Sequence, residues 1–216
     1  MQIQLVIFDL GRVLIRIHDD WATAGRAVGV EVTPEQAARL AAAGDELTQT
    51  GHDHECGRID DQAFAAAVSR LSGMHEADVL AGLDAWIIEP YDGAGELLAQ
   101  VKASGRKVAC LSNTNAWHWR CMSDPSHRKY VGTCEMDWAF ASQELGCRKP
   151  EPAIYEQVER ITRIAPQCIL FFDDLQANLD AARRRGWNTF LIRRDMDPIA
   201  QMRGYLRAVS VLGWLA

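Results

Sequence analysis

The sequence predicts an α/β fold: a Rossmann-like parallel sheet core covered by helices on both faces, with a four-helix cap inserted after the first strand. Three observations carry this reading. Runs of strand length such as Leu5 to Phe8, Lys107 to Leu111 and Cys168 to Phe172 are nearly continuous in apolar residues, as strands buried on both faces are. From Asp92 onward strand-like and helix-like segments alternate, the pattern of strand–helix–strand units. Between the first strand and the next lies a long helical, alanine-rich stretch without a strand, which reads as a separate helical layer. The expected division is a core of residues 1–17 and 88–216 and a cap of residues 18–87.

Taken in order, the first strand stops abruptly at Asp9, and Gly11 lets the backbone turn sharply. Arg16 to Asp20 is expected to be a polar exit. Thr33-Pro34-Glu35-Gln36 predicts a helix start, with Thr33 as N-cap, Pro34 at the first helical position and Gln36 closing a capping box; this helix is expected to run to about Thr50. Asp60 or Asp61 caps a helix over Gln62–Leu71, and another spans Glu76–Ile87. Beyond Asp92 the expected elements are helix Gly95–Ala103, strand Lys107–Leu111, a short helix after Asn113, strand Trp138–Ala141 and helix Pro152–Ile161. Strand Cys168–Phe172, helix Leu175–Arg185, strand Thr189–Ile192 and a terminal helix from about Pro198 follow.

The 216 residues allow a core of roughly 140 residues plus a small accessory domain. A net charge of −6 argues against nucleic acid as a partner, since phosphate backbones demand clustered cations. Arg183-Arg184-Arg185 before Gly186 reads as a helix C-terminus whose cations complement the dipole. No apolar run approaches the roughly 20 residues of a membrane span, and the start of the chain has no basic, apolar leader, so a cytoplasmic protein is expected. Six cysteines without Cys-x-x-Cys spacing read as free thiols.

The chemistry stands immediately after the strands: Asp9 after the first, Ser112-Asn113 after the second, Ser142 after the third, Asp173-Asp174 after the fourth. In a parallel sheet these ends share one edge, where ligands bind. Acids gathered there repel one another unless a cation lies among them, and hard oxygen ligands suit Mg²⁺. In phosphoryl transfer Asp9 is the candidate nucleophile, forming an aspartyl-phosphate. Ser112 and nearby backbone N–H groups would hold phosphate oxygens, and Lys149 would supply a point charge. Asp174 is expected to bind the metal, with Asp173 a second ligand or an outer partner. His52-Asp53-His54-Glu55-Cys56-Gly57 is expected to be a polar loop between two cap helices, either plainly solvated or facing the crevice to select substrate, and it lacks the second ligand pair of a zinc site. Trp117-His118-Trp119-Arg120 reads as a packed helix face or as an aromatic platform for a sugar.

Phe8-Asp9-Leu10-Gly11-Arg12-Val13, Leu111-Ser112-Asn113-Thr114-Asn115, Arg148-Lys149-Pro150 and Phe171-Phe172-Asp173-Asp174 resemble, in order, the four motifs of the haloacid dehalogenase superfamily. Ser142-Gln143-Glu144-Leu145-Gly146 and Arg148-Lys149-Pro150-Glu151, with the second motif, are similar to bacterial glucose-1-phosphate phosphatases and to the N-terminal phosphatase domain of soluble epoxide hydrolase. The resemblance implies Mg²⁺-dependent hydrolysis of a small phosphorylated metabolite beneath a helical cap, with metal ligands Asp9, the Gly11 carbonyl, Asp174 and Asp173. One departure stands out: most phosphatases of the superfamily carry an acid–base Asp two residues after the nucleophile, where this chain has Gly11. His18, Asp19 or Asp20 is the candidate substitute. The rival expectations are metal-independent dehalogenation through an ester on Asp9, and a catalytically weak protein that binds a ligand or partner through its cap.

Overall fold

The computed structural model describes residues 2–213. Its centre is strand β1, Leu5–Phe8, whose four residues are all fully buried. Side chains of a strand alternate between faces, and both destinations are apolar. Val6 and Phe8 pack with Leu97, Leu98 and Val101 of helix α6 (Ala94–Ala103) and with Ile199, Met202 and Leu206 of helix α11 (Pro198–Ala208). Leu5 and Ile7 pack on the opposite side with Ile154, Tyr155 and Val158 of helix α9 (Pro152–Thr162) and Leu179 of helix α10 (Gln176–Arg184). Burial of each such side chain is worth about 1.5–3 kcal/mol, so a strand covered on both faces has no room for polar alternation.

Five parallel strands form the sheet, in the order β5-β4-β1-β6-β7. The outer four are β4 (Lys107–Ser112), β5 (Trp138–Ala141), β6 (Ile169–Asp173) and β7 (Asn188–Leu191). Phe8 of the central strand is level with Cys110 on one side and Phe172 on the other. The next residues, Asp9, Leu111 and Asp173, therefore share the C-terminal edge.

The helical insertion differs from expectation in three respects. It holds five helices rather than about four: α1 (Trp21–Ala27), α2 (Pro34–Ala42), α3 (Gly44–Glu55), α4 (Asp61–Ser72) and α5 (Glu76–Ala85). The expected helix from Pro34 to Thr50 is two, parted at Ala43, because Gly44 is a poor helix former at a position where nothing packs against it. The capping box of Thr33 and Gln36 is present. The supposed polar exit contains a strand, β2 (Ile15–Ile17), paired antiparallel with β3 (Ile87–Pro90), so the chain enters and leaves the insertion through a two-stranded ribbon. Strands of three and four residues pair too briefly for periodicity to reveal them. Finally, His52 to Glu55, expected in a loop, form the last turn of α3, and His54 is buried. A lone buried ring on an otherwise polar helix leaves no apolar stripe to read.

Arg185 pairs with Glu156 and Glu159 of α9, tying the two helices on that face together at the end of α10. All six cysteines are free thiols, and burial pushes the Cys110 thiol up to about 12. Among the described residues no helix is long and apolar enough to cross a membrane.

Candidate active site

Strand β1 ends in the fully apolar core, so Asp9 emerges from it with little solvent around it, 8% exposed. Its Oδ1 accepts the Leu10 N–H at 2.7 Å and lies 2.9 Å from the Lys149 ammonium. Lys149, 1% exposed, donates equally closely to Asp173 Oδ2 at 2.8 Å. Desolvation alone would lower the Lys149 pKa, but Asp173 and Asp9 more than offset it and hold the ammonium above its ordinary value. Asp173 is saturated: Leu175 N–H and the Asn178 amide reach Oδ1 at 2.7 and 3.1 Å, and Lys149 and Asn178 reach Oδ2. Asp174 Oδ2 meets the Arg194 guanidinium at 2.9 and 2.7 Å.

Oxygens of Asp9, Asp173 and Asp174 lie within 4.8 Å of one another. Burial, first, and then the charges of Asp173 and Asp174 push the Asp9 carboxyl up to about 7, although Lys149 pulls it down. Asp174 is likewise raised, by burial and by Asp173, against Arg194. One buried ammonium among three acids leaves the cluster short of positive charge. A divalent cation with a preference for hard oxygens would supply it, and these donors fit such an ion. Asp174, whose only hydrogen-bond partner among the described residues is the exposed Arg194, is better placed than saturated Asp173 to give it an oxygen.

Asn113 grips the motif around Lys149 from both sides, its Oδ1 accepting Lys149 N–H at 2.8 Å and its Nδ2 donating to Lys149 O at 2.9 Å. It is thus a brace for the lysine through its side chain. Ser112, buried at the end of β4, makes only a long 3.5 Å contact to Asn113 O. It does not cap the next helix, α7 (Ala116–Ser123); Asn115 does, accepting His118 N–H at 2.9 Å. Gly11 lies in the turn after Asp9, where an added Cβ would stand 3.2 Å from the tip of Ile17.

Two of the three expected substitutes for the missing acid–base Asp are otherwise engaged. Asp20 caps α1 through the Thr23 N–H and Asp19 is an exposed partner of Arg12, whereas of His18 only the backbone is bonded, its N–H to Trp86 O and its carbonyl to Arg12. Of Trp117 to Arg120, Trp117 donates to Asp84 at 3.0 Å, His118 is buried, and Trp119 packs on the core, so this stretch is packing. The aromatic walls beside the site come instead from Trp21, Phe64 and Trp86, which line a cavity of about 210 Å³ with His54, Asn113 and Thr114.

Several of these groups escape sequence reading. Asn178 has a signal, since it shares the buried face of α10 with Leu179 and Ala182 and a buried amide demands a partner. Arg194, in an exposed loop, has none. Ser142, expected at a strand end, acts between layers: its Oγ accepts Thr114 N–H at 2.9 Å and donates to Glu55 O of α3 at 2.6 Å.

Residues 3–186 match the model of the haloacid dehalogenase-like hydrolases, and the chain belongs to that hydrolase family. Human haloacid dehalogenase-like hydrolase domain-containing protein 3 is 22% identical over 93% of this chain and 87% of that protein. The D-ribitol-5-phosphate phosphatase of Bacteroides thetaiotaomicron is 26% identical over 87% of this chain and 91% of its own. A haloacid dehalogenase family enzyme from Bacteroides thetaiotaomicron, solved with magnesium and inorganic phosphate, superposes with a TM-score of 0.72 at 23% identity, covering 90% of this chain and 96% of that one.

Proposed function

We propose that this hydrolase is a Mg²⁺-dependent phosphatase of small phosphate monoesters, sugar or polyol phosphates among them, working through an aspartyl-phosphate on Asp9. The observation that carries this reading is the cluster of three carboxylate oxygens within 4.8 Å around a single buried ammonium. Relatives that include a sugar-alcohol phosphatase support it, as does a structural neighbour holding magnesium and phosphate. The insertion of residues 18–87 serves as the cap over the crevice.

Asp9, Asp174 and the Gly11 carbonyl would hold the ion, with Asp173 behind them. Mg²⁺ supplies charge neutralisation for the transferring phosphoryl oxygens. Lys149 holds Asp9 through Oδ1, so that Oδ2, which no group bonds among the described residues, is the oxygen that attacks phosphorus. Ser112 and the backbone N–H groups that follow it orient the phosphate, and Asn113 keeps Lys149 in line. A metal-free dehalogenase would have to bear three crowded acids with no ion to relieve them, and the geometry offers it no support.

The test is phosphate release from a broad ester panel by the wild type and by Asp9→Asn, each with Mg²⁺ and with EDTA. Release confined to the wild type with Mg²⁺ is expected. Silence of the wild type throughout the panel supports a ligand-binding role, and EDTA-resistant dehalogenation supports the rival chemistry.

A further inference from the structure

The turn that replaces the acid–base Asp with Gly11 leaves the leaving group without a proton source, and the cavity beside the site contains one unassigned histidine. His54 ends α3 with its ring 4% exposed, stacked on Phe64 at 4.3 Å between centroids. Its Nε2 lies 2.9 Å from Asp61 Oδ1. A carboxylate only accepts, so Nε2 carries a proton, and Nδ1 is left to accept in the neutral ring or to donate in the protonated one. No group bonds Nδ1 among the described residues, and the ring lines the cavity. The other histidine there, His118, is bonded at both nitrogens, to Leu83 O and the Asn115 amide, and burial lowers its pKa to about 4. It is spent as a structural neutral ring.

The cavity borders the segment that follows Ser112. Asn113 and Thr114 form part of its wall. Asn113 is the residue after Ser112 and is bonded both ways to the backbone of Lys149, whose ammonium touches Asp9. The end of α3 is fastened there: Glu55 O takes the Ser142 hydroxyl, and the Glu55 carboxylate takes Arg148 Nε at 2.6 Å. At about 210 Å³ the space is below the roughly 300–1,000 Å³ of drug-sized pockets, which suits a compact alcohol.

Resting on the phosphatase reading, we propose that His54, positioned by Asp61, is the proton donor to the leaving oxygen, in place of the acid missing at Gly11, for small phosphorylated alcohols lodged in this cavity. Asp9 forms the new bond to phosphorus as the P–O bond to the alcohol breaks, its electron pair passing to the alcohol oxygen. That oxygen takes the proton from Nδ1. Water then attacks the aspartyl-phosphate, its proton returns to Nδ1, and the Asp9–phosphorus link breaks to give inorganic phosphate. The titratable and charged groups around the ring are Asp61 on α4, the adjacent Glu55 on its own helix, paired with Arg148, and, from α7, the neutral His118 and the cation Arg120, which stands 3.4 Å from the second Asp61 oxygen.

The experiment compares the wild type, His54→Gln and Asp61→Asn with Mg²⁺ on p-nitrophenyl phosphate, whose leaving anion needs no proton, and on the best primary alkyl phosphate of a sugar and polyol phosphate panel. His54→Gln is expected to lose about 10²-fold or more in kcat on the alkyl ester and less than about threefold on the aryl ester; Asp61→Asn shows the same selectivity with a smaller loss. Equal losses on both esters in a variant with the wild-type unfolding midpoint, or no loss on the alkyl ester, overturn the assignment of His54 and leave the phosphatase intact. Should the variant not fold, the wild type decides: rates nearly independent of the leaving alcohol are expected, and a steep fall from aryl to alkyl esters overturns the assignment. A wild type that releases phosphate from neither ester overturns the phosphatase reading itself.

Discussion

Asp9, the proposed nucleophile, carries opposed demands: attack calls for its carboxylate form, and burial beside Asp173 and Asp174 favours its neutral form. Its folded pKa, about 7 against an ordinary 3.8, means that without metal the native state holds a proton that the unfolded chain has lost. The sign follows from linkage: where the folded state binds more protons, stability falls as pH rises. In EDTA, the wild type is therefore predicted to lose stability relative to Asp9→Asn between about pH 4 and pH 7 and to run parallel to it above, as measured by urea denaturation at each pH. The residues of this site were legible because strand ends in a parallel sheet converge, which names Asp9, Asp173 and Asp174 together. Lys149 was legible through its neighbours in sequence. His54 was singled out with its neighbours but read as part of a loop, and Arg194 was not singled out at all: a buried histidine on a polar helix and an arginine in a surface loop carry no periodicity, and only the tertiary contacts to Asp61 and Asp174 distinguish them.

Among the elements, α3 matters most for joining the insertion to the core. Beyond the Glu55 contacts, the turn after it brings Gly57 against the core at φ +67°, where an added Cβ would lie 2.5 Å from Gln143 O. Only glycine tolerates both the left-handed backbone and that approach. Gly57→Ala is predicted to cost about 1–3 kcal/mol and to loosen the cavity wall, seen as a lower unfolding midpoint together with a raised KM. On the other side, Asp84 at the end of α5 receives Trp117 Nε1 and the buried Lys129 ammonium, so the helical layer is held there as well. The sheet and its helices were legible element by element, because their apolar runs and caps are long. The ribbon of β2 and β3 and the break at Ala43 were not, since short pairing and a single glycine barely disturb the surrounding pattern.

For the molecule as a whole, a metal that binds only the folded state must stabilise it. At a Mg²⁺ concentration about a hundredfold above its dissociation constant the gain is about 2.7 kcal/mol. Because Asp9, as a proposed ligand, would have to give up its proton, the Mg²⁺-induced rise in Tm is predicted to be larger at pH 8 than at pH 5.5, as read by calorimetry. A rise of equal size at both pH values would place the ion away from Asp9.

Rapid acid quench of the wild type mixed with a ³²P-labelled phosphate ester and Mg²⁺ tests the phosphoryl-transfer account most directly. Label on the peptide containing Asp9, released by hydroxylamine and absent from Asp9→Asn and from EDTA-treated protein, is the predicted result. Undiminished phosphate release by Asp9→Asn, with no label on that peptide in the wild type at any quench time, would contradict it.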